Sequence, residues 1–127
     1  MLGSNRNPRI GDDPAFDECL AEVEARLGVE IKHTNDLAEG ETNYWSGTRN
    51  ACMRVWLFVQ IAEQAGGDLT NDSFVAALDS GPYEIMGYEF SSLSTSKFDA
   101  RDVLVLVEYD LATLEFVELS DPVDISG

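Results

Sequence analysis

The pattern of apolar and polar positions divides the chain into helices first and strands afterwards. Phe16, Leu20, Val23 and Leu27 fall on one helical stripe, with charged residues between them. Asp13 is placed to cap that helix, Pro14 to occupy its first position, and Asp17 and Glu18 to face the positive end of its dipole. Gly28 is placed to end it.

Residues 29–47 show no sustained period. Val29-Glu30-Ile31 reads as a short strand, and residues 33–42 as a polar, acidic surface loop. A second helix is predicted to open near Ser46 or Thr48, either of which can cap it, and to run to Ala65 before Gly66-Gly67. Met53, Val55, Trp56, Leu57, Phe58, Val59 and Ile61 cover most of its circumference. A helix that is apolar nearly all round is expected to be buried among other elements.

A third helix is predicted from Thr70, with Phe74, Val75 and Leu78 as its apolar face and Ser80-Gly81-Pro82 as its end. The period then shortens. Residues 87–90 read as a short strand and the serine-rich residues 91–96 as a loop. Residues 102–109 (DVLVLVEY) read as a buried strand, and 114–119 (LEFVEL) alternate like a half-solvated one. A turn at 110–113 makes the two a hairpin. Residues 1–12 read as a loose leader and 120–127 as a frayed polar tail.

Charge narrows the function. The 127 residues carry 24 Asp and Glu against 8 Lys and Arg, a formal net charge of -16, and the lysines are Lys32 and Lys97 alone. A surface that tracks nucleic-acid phosphates needs clustered cations, so nucleic acid is excluded as the expected partner. The apolar share of 44% is that of a folded domain, so the acidity describes its shell. The longest dense apolar run, 55–62, contains Gln60 and is too short to span a bilayer. Residues 1–10 hold no apolar stretch of the signal-peptide kind.

Catalytic and metal chemistry find little purchase. No GxSxG, HExxH, GxGxxG or P-loop pattern occurs, and the acidic pairs do not match a calcium loop. The single histidine, His33, lies in a polar stretch with no Cys or second His at ligand spacing, and is expected to be exposed and idle. No catalytic residue, metal or cofactor is therefore expected. Cys19 and Cys52 are too few for a disulfide scaffold; one bridge in an exported protein and two inert thiols in a cytosolic one are both allowed.

The ordered set ACMRVWLFVQIAEQAGG (51–67), LTNDSFVAALDSG (69–81), MGYEF (86–90) and DVLVLVEYDLATLEFVEL (102–119) resembles the C-terminal part of type 1 periplasmic substrate-binding proteins. These are the branched-chain amino-acid and amide-binding receptors of ABC importers. Residues 13–30 also look like a helix of that family's second lobe. The resemblance implies an α/β fold: three helices, then short strands and a terminal β-hairpin, with 13–119 as the C-terminal segment of a periplasmic-binding-like domain. Such receptors are several hundred residues long and close two lobes around a solute, so this chain would supply about their last third. The resemblance implies a parent in the periplasm or on the cell surface, a small polar solute such as an amino acid as ligand, and an ABC permease as partner.

In that family the segment entering the second helix borders the ligand cleft. Tyr44 and Trp45 are thereby candidate ligand-facing aromatics, against the plainer role of closing the core at a loop edge. Ser46, Thr48 and Asn50 are candidates to meet a carboxylate at the helix N-terminus, against simple capping, and Arg49 to pair with an anion, against a surface salt bridge. An exported parent also implies that Cys19 and Cys52, on helices expected to share one core, close into a disulfide. The missing lobe would leave the second helix short of cover, so the isolated chain is expected to self-associate or stay partly molten. The alternative function is a small acidic interaction domain that dimerises or docks through an apolar helix face.

Overall fold

A computed structural model describes residues 2–3, 11–86, 91–97, 100 and 102–126. It is a mixed α/β structure of three helices and a small antiparallel sheet. Helix α1 (Pro14–Leu27) begins and ends where its sequence directs. The Asp13 side chain accepts from the backbone N–H groups of Ala15 and Phe16, and Gly28, at φ 67°, returns its N–H to the Glu24 carbonyl. Phe16 and Leu20 are its buried residues.

Residues 29–31 form no strand. Ile31 is instead drawn into the core as a single anchor, its N–H held by the Glu24 side chain at 2.7 Å. One carboxylate supplies the bond that a neighbouring strand would otherwise give. A short 3₁₀ turn follows over Thr34–Asp36.

Helix α2 (Trp45–Ala65) starts one residue earlier than Ser46 and three before Thr48. Neither is its cap. Tyr44 holds the cap position without a side-chain bond, and the Asn43 side chain receives the Ser46 N–H at 3.4 Å. Trp45 is buried at this first helical position.

The expectation that α2 is buried all round is wrong. Its two halves bury opposite faces. Trp45, Thr48 and Cys52 share one stripe and are buried, the first and last in a cluster with Phe16, Leu20, Ile31 and Met86. Ile61, with Leu57 and Ala65 beside it, packs in a second cluster with Ala77, Leu78, Tyr83 and Phe74. Cys52 and Ile61 are nine positions apart, about two and a half helical turns, which puts them on opposite sides. An apolar residue is therefore needed on both sides, but each side is covered over only half the length. Val55 and Val59 continue the first stripe and lie 61% and 40% exposed; Trp56 and Phe58 are exposed as well.

Helix α3 (Asn71–Ala77) is opened by a capping box between Thr70 and Ser73, and a 3₁₀ turn over Leu78–Ser80 extends it. The chain then crosses back to α2. The Gln60 amide brackets Glu84, donating to its carbonyl at 2.7 Å and accepting its N–H at 2.9 Å. The Tyr83 hydroxyl donates to the Ala77 carbonyl inside the second cluster. The strand expected over 87–90 lies outside the described residues.

The sheet is organised on one strand, here β2 (Val103–Asp110), with Val103 and Val105 buried. Strand β3 (Glu115–Glu118) returns along it as the expected hairpin, Asp110 opposite Glu115 and Val107 opposite Glu118. Asp110 organises the turn by accepting the Ala112 N–H and the Thr113 hydroxyl. The leader and tail are not wholly loose. Strand β1 (Leu2–Gly3) pairs with Leu106 and Val105, and strand β4 (Val123–Asp124) with Leu104 and Val103.

Strand β4 is the hairpin arm resumed after a bulge. From the pair Val107–Glu118 to the pair Leu104–Val123 the arm advances five residues and β2 only three. Ser120 absorbs the excess: its hydroxyl takes the Leu106 N–H at 3.0 Å, while the Leu106 carbonyl accepts the Leu119 N–H at 2.7 Å. The Asp102 carbonyl, of the same parity as Leu106, accepts from Ile125. Both arms thus lie on one edge of β2, and β1 lies on the other.

Candidate functional site

The candidate ligand contacts lie where the chain enters α2, and the structure divides them sharply. Trp45 is 1% exposed. Phe16 stands edge-on to its ring at 5.1 Å and His33 at 4.9 Å. The indole belongs to the core and presents no surface to a solute. Tyr44, one residue earlier, is exposed. It borders an open hollow with Glu30, Lys32, Leu37, Glu41 and Thr42.

The hollow is braced by charge. The Lys32 ammonium pairs with one oxygen of Glu41, and the other oxygen accepts the Ala38 N–H at 2.8 Å. Hydrogen bonding to Glu41, then its charge, raises the Lys32 pKa; hydrogen bonding to Lys32, then to the Ala38 amide, lowers that of Glu41. Both groups face solvent, so the pair fixes loop geometry more than it stabilises the fold. The hollow offers a cation, two carboxylates, an aromatic edge and an aliphatic wall, open on one side.

Ser46 and Asn50 are exposed on the first turns of α2, and Thr48 is buried on its inner face. The structure does not bring Ser46, Thr48 and Asn50 together around the hollow: none of them lines it. Cys19 and Cys52 are joined in a disulfide, which ties the middle of α1 to the opening turns of α2 beside Trp45.

His33 corrects a further expectation. It is 4% exposed, packed against Trp45, and its Nδ1 accepts the Asn35 N–H at 3.2 Å. A histidine in a polar run reads as solvated; here the ring is carried inward because Ile31, two residues before it, is pinned to the core. Among the described residues no group of His, Cys, Asp or Glu is placed to hold a metal ion.

A second polar centre was not anticipated. Asp102, at the head of β2, is 2% exposed. Lys97 donates to it at 2.7 Å, and so does the Ser92 hydroxyl. Burial pushes its carboxyl up, but the hydrogen bonds from Lys97 and Ser92 and the Lys97 charge outweigh burial and hold it below the ordinary value. Lys97 also donates to the Ser92 carbonyl at 3.1 Å, and the same loop reaches α3's end, where Thr95 donates twice to Asp79. The serine-rich loop is therefore a strap between helix layer and sheet. A signal was present in the sequence: an aspartate heading an otherwise aliphatic strand, with a lysine five residues before it.

Part of the exposed surface of α2 is apolar. Val55, Phe58 and Val59 share one side of α2, and Phe58 stacks on Phe74 of α3 at 5.2 Å. Among the described residues no helix is long and apolar enough to cross a membrane. No protein-family model, curated protein or solved structure matches the chain.

Proposed function

We propose that this chain is the C-terminal portion of an extracytoplasmic solute receptor of the type 1 periplasmic-binding kind, serving an ABC importer for an amino acid or related small polar solute. The observation that carries the proposal is the half-covered first stripe of α2, the one that Trp45, Thr48 and Cys52 begin. Trp45, Thr48 and Cys52 are sealed, while Val55 and Val59 on the same stripe stand open. Apolar burial is worth roughly 25 cal/mol per Å² of surface removed from water, so an open stripe of large side chains calls for a further layer. In a two-lobed receptor that layer belongs to the preceding part of the lobe.

Two further features support the reading. The order of the elements, two long helices, a short capped helix and a closing hairpin, is the order the resemblance implies. The disulfide fits an oxidising compartment. In this reading Tyr44 and the hollow beside it form one wall of a cleft, the opposite lobe forms the other, and hinge closure completes the site. Neither catalysis nor a cofactor has a place in it.

The test is to express the full reading frame that contains this chain and titrate it calorimetrically with branched-chain amino acids, amides, urea and aromatic acids. Neighbouring genes are read for a permease and an ATPase. Saturable binding of one solute class is the expected result. A reading frame that adds no α/β lobe, beside genes unrelated to transport, sinks the proposal and leaves the acidic interaction domain, which the same apolar face favours.

A further inference from the structure

We propose that the Cys19–Cys52 bridge is a redox gate on the hollow beside Tyr44. In the oxidised chain the wall of the hollow is assembled. With the sulfurs reduced, α1 and residues 29–44 come away together while the rest of the fold stays. That the hollow meets a solute rests on the reading above; that the bridge assembles it rests on the packing alone.

Every residue lining the hollow, from Glu30 to Tyr44, lies inside the loop that the bridge closes. The stretch between α1 and α2 has one 3₁₀ turn as its regular structure, so few ladder bonds offset the backbone entropy of ordering it. Its two ends are anchored at Ile31 and Trp45. Both belong to the first core cluster, with Phe16, Leu20, Cys52 and Met86, and Cys19 packs against that cluster. Helix α1 contributes Phe16 and Leu20 as its buried residues over 14 positions, and a helix of that length is marginal in water without tertiary cover. The bridge therefore sits among the contacts that dock α1 and both ends of the hollow, and it removes much of the freedom they would otherwise have to restrain.

The second cluster shares no residue with the first. Ile61, Ala77, Leu78 and Tyr83, with Leu57, Ala65, Phe74 and Leu93 against them, come from the far half of α2, from α3 and from the chain beyond. The hairpin is laddered within itself, and the Asn35 amide reaches its Glu115 through an exposed bond of 3.0 Å. These units keep their own contacts when the bridge opens, so the opening is local.

The exchange is a two-electron step. Cys19 is the more accessible cysteine, half-buried where Cys52 is 3% exposed. An incoming thiolate bonds to the Cys19 sulfur and breaks the sulfur–sulfur bond; the electron pair leaves on Cys52, which takes up a proton. The second thiol of a dithiol reductant closes on the mixed disulfide and frees Cys19, so the reductant departs as a disulfide. The gate closes by the reverse exchange with a disulfide donor, which departs as two thiols.

The test reduces the folded 127-residue chain with dithiothreitol and follows it by two-dimensional NMR and amide hydrogen exchange. Helix α1 and Ile31 are expected to lose about a hundredfold or more in protection, and residues 29–44 their dispersed shifts, while residues 57–83 and 103–118 keep both. A Trp56→Phe chain leaves Trp45 as its single tryptophan, and the emission of that indole is expected to move to the red on reduction. Glutathione disulfide is expected to restore every signal. A reduced chain that keeps Ile31 protected and Trp45 sealed overturns the proposal, because the cluster then holds without the bridge. Loss of α3 and the hairpin together with α1 overturns it too, since the bridge would then hold the whole fold and not a gate. Failure of the oxidant to rebuild the loop has the same consequence. Solute binding by the full oxidised receptor is a separate measurement, so the functional proposal stands or falls on its own result.

Discussion

Cys19 in the middle of α1 and Cys52 near the start of α2 are bonded to each other, with Cα atoms 6.0 Å apart and 33 residues of separation along the chain. The loop they close carries Ile31, His33 and the approach to Trp45. The bond therefore ties down a segment whose only regular structure between the two helices is a short 3₁₀ turn. Closing a loop of that length is worth about 4 kcal/mol on the chain-entropy model. The Cys19→Ser/Cys52→Ser double variant is expected to lose most of that in urea melts, and the wild type to lose a similar amount under strong reductant. Coincident melts of oxidised and reduced protein would show that the bridge contributes nothing.

Tyr44 and Trp45 are adjacent in sequence and opposite in consequence. Trp45→Ala removes a ring held by Phe16 and His33, at a cost of about 3–5 kcal/mol. That is a large part of a small domain's stability, so the variant is expected to be mostly unfolded. Tyr44→Ala empties only the rim of the hollow and is expected to stay within about 0.5 kcal/mol of wild type. Chemical denaturation of both variants checks the pair; equal losses would mean that the indole is not the anchor described.

These contrasts show where the sequence was readable. Asp13, Pro14 and Gly28 bound α1, and Thr70 opens α3, because capping is settled within four residues. The hairpin was readable because strand alternation and a short turn are also local. What escaped depends on distant partners. Val123 and Asp124 pair with β2 only because Ser120 fills a bulge, and a polar tail carries no mark of that. The all-round apolar pattern of α2 was visible, but its meaning was not: one continuous buried helix and two half-buried faces give the same composition. The same locality limits the site. Tyr44 and Trp45 carried the same two readings, facing a ligand or closing the core at a loop edge, and only the inward path of Ile31 and His33 separates the buried Trp45 from the exposed Tyr44.

Asp102 sets the acid limit of the strap between the serine-rich loop and β2. Its carboxyl titrates below its ordinary value of 3.8 in the folded chain, so the charged form is favoured by folding. That contribution is present above about pH 4 and is lost as pH falls through the lower folded value. Asp102→Asn keeps the shape but strands Lys97 without its carboxylate, and is expected to cost about 1–3 kcal/mol at neutral pH. As pH falls through that lowered value the difference from wild type is expected to shrink. Melting temperatures of both proteins between pH 2 and 7 check the sign; parallel curves throughout would remove Asp102 from the acid transition.

Solute binding by this chain alone is expected to be absent or weaker than about 1 mM. A small-molecule site normally covers most of its ligand's surface and converges a few polar groups on it. Here the hollow beside Tyr44 is open on one side, its lysine is engaged by Glu41, and Ser46 and Asn50 do not line it. A millimolar constant corresponds to only about 4 kcal/mol, and one open wall with a competing ion pair does not reach even that. Fluorescence is a poor reporter, since Trp45 is sealed in the core and Trp56 lies on α2's outer stripe, outside the residues lining the hollow. The measurement is therefore two-dimensional NMR, following the amides of residues 30–44 during titration with leucine, its amide and its decarboxylated amine. Shifts that stay linear and unsaturated to several millimolar agree with a single cleft wall. Saturation at micromolar concentration, abolished by Tyr44→Ala in a variant that still folds, would show a complete site within these residues, and the second lobe would no longer be needed to explain the chain.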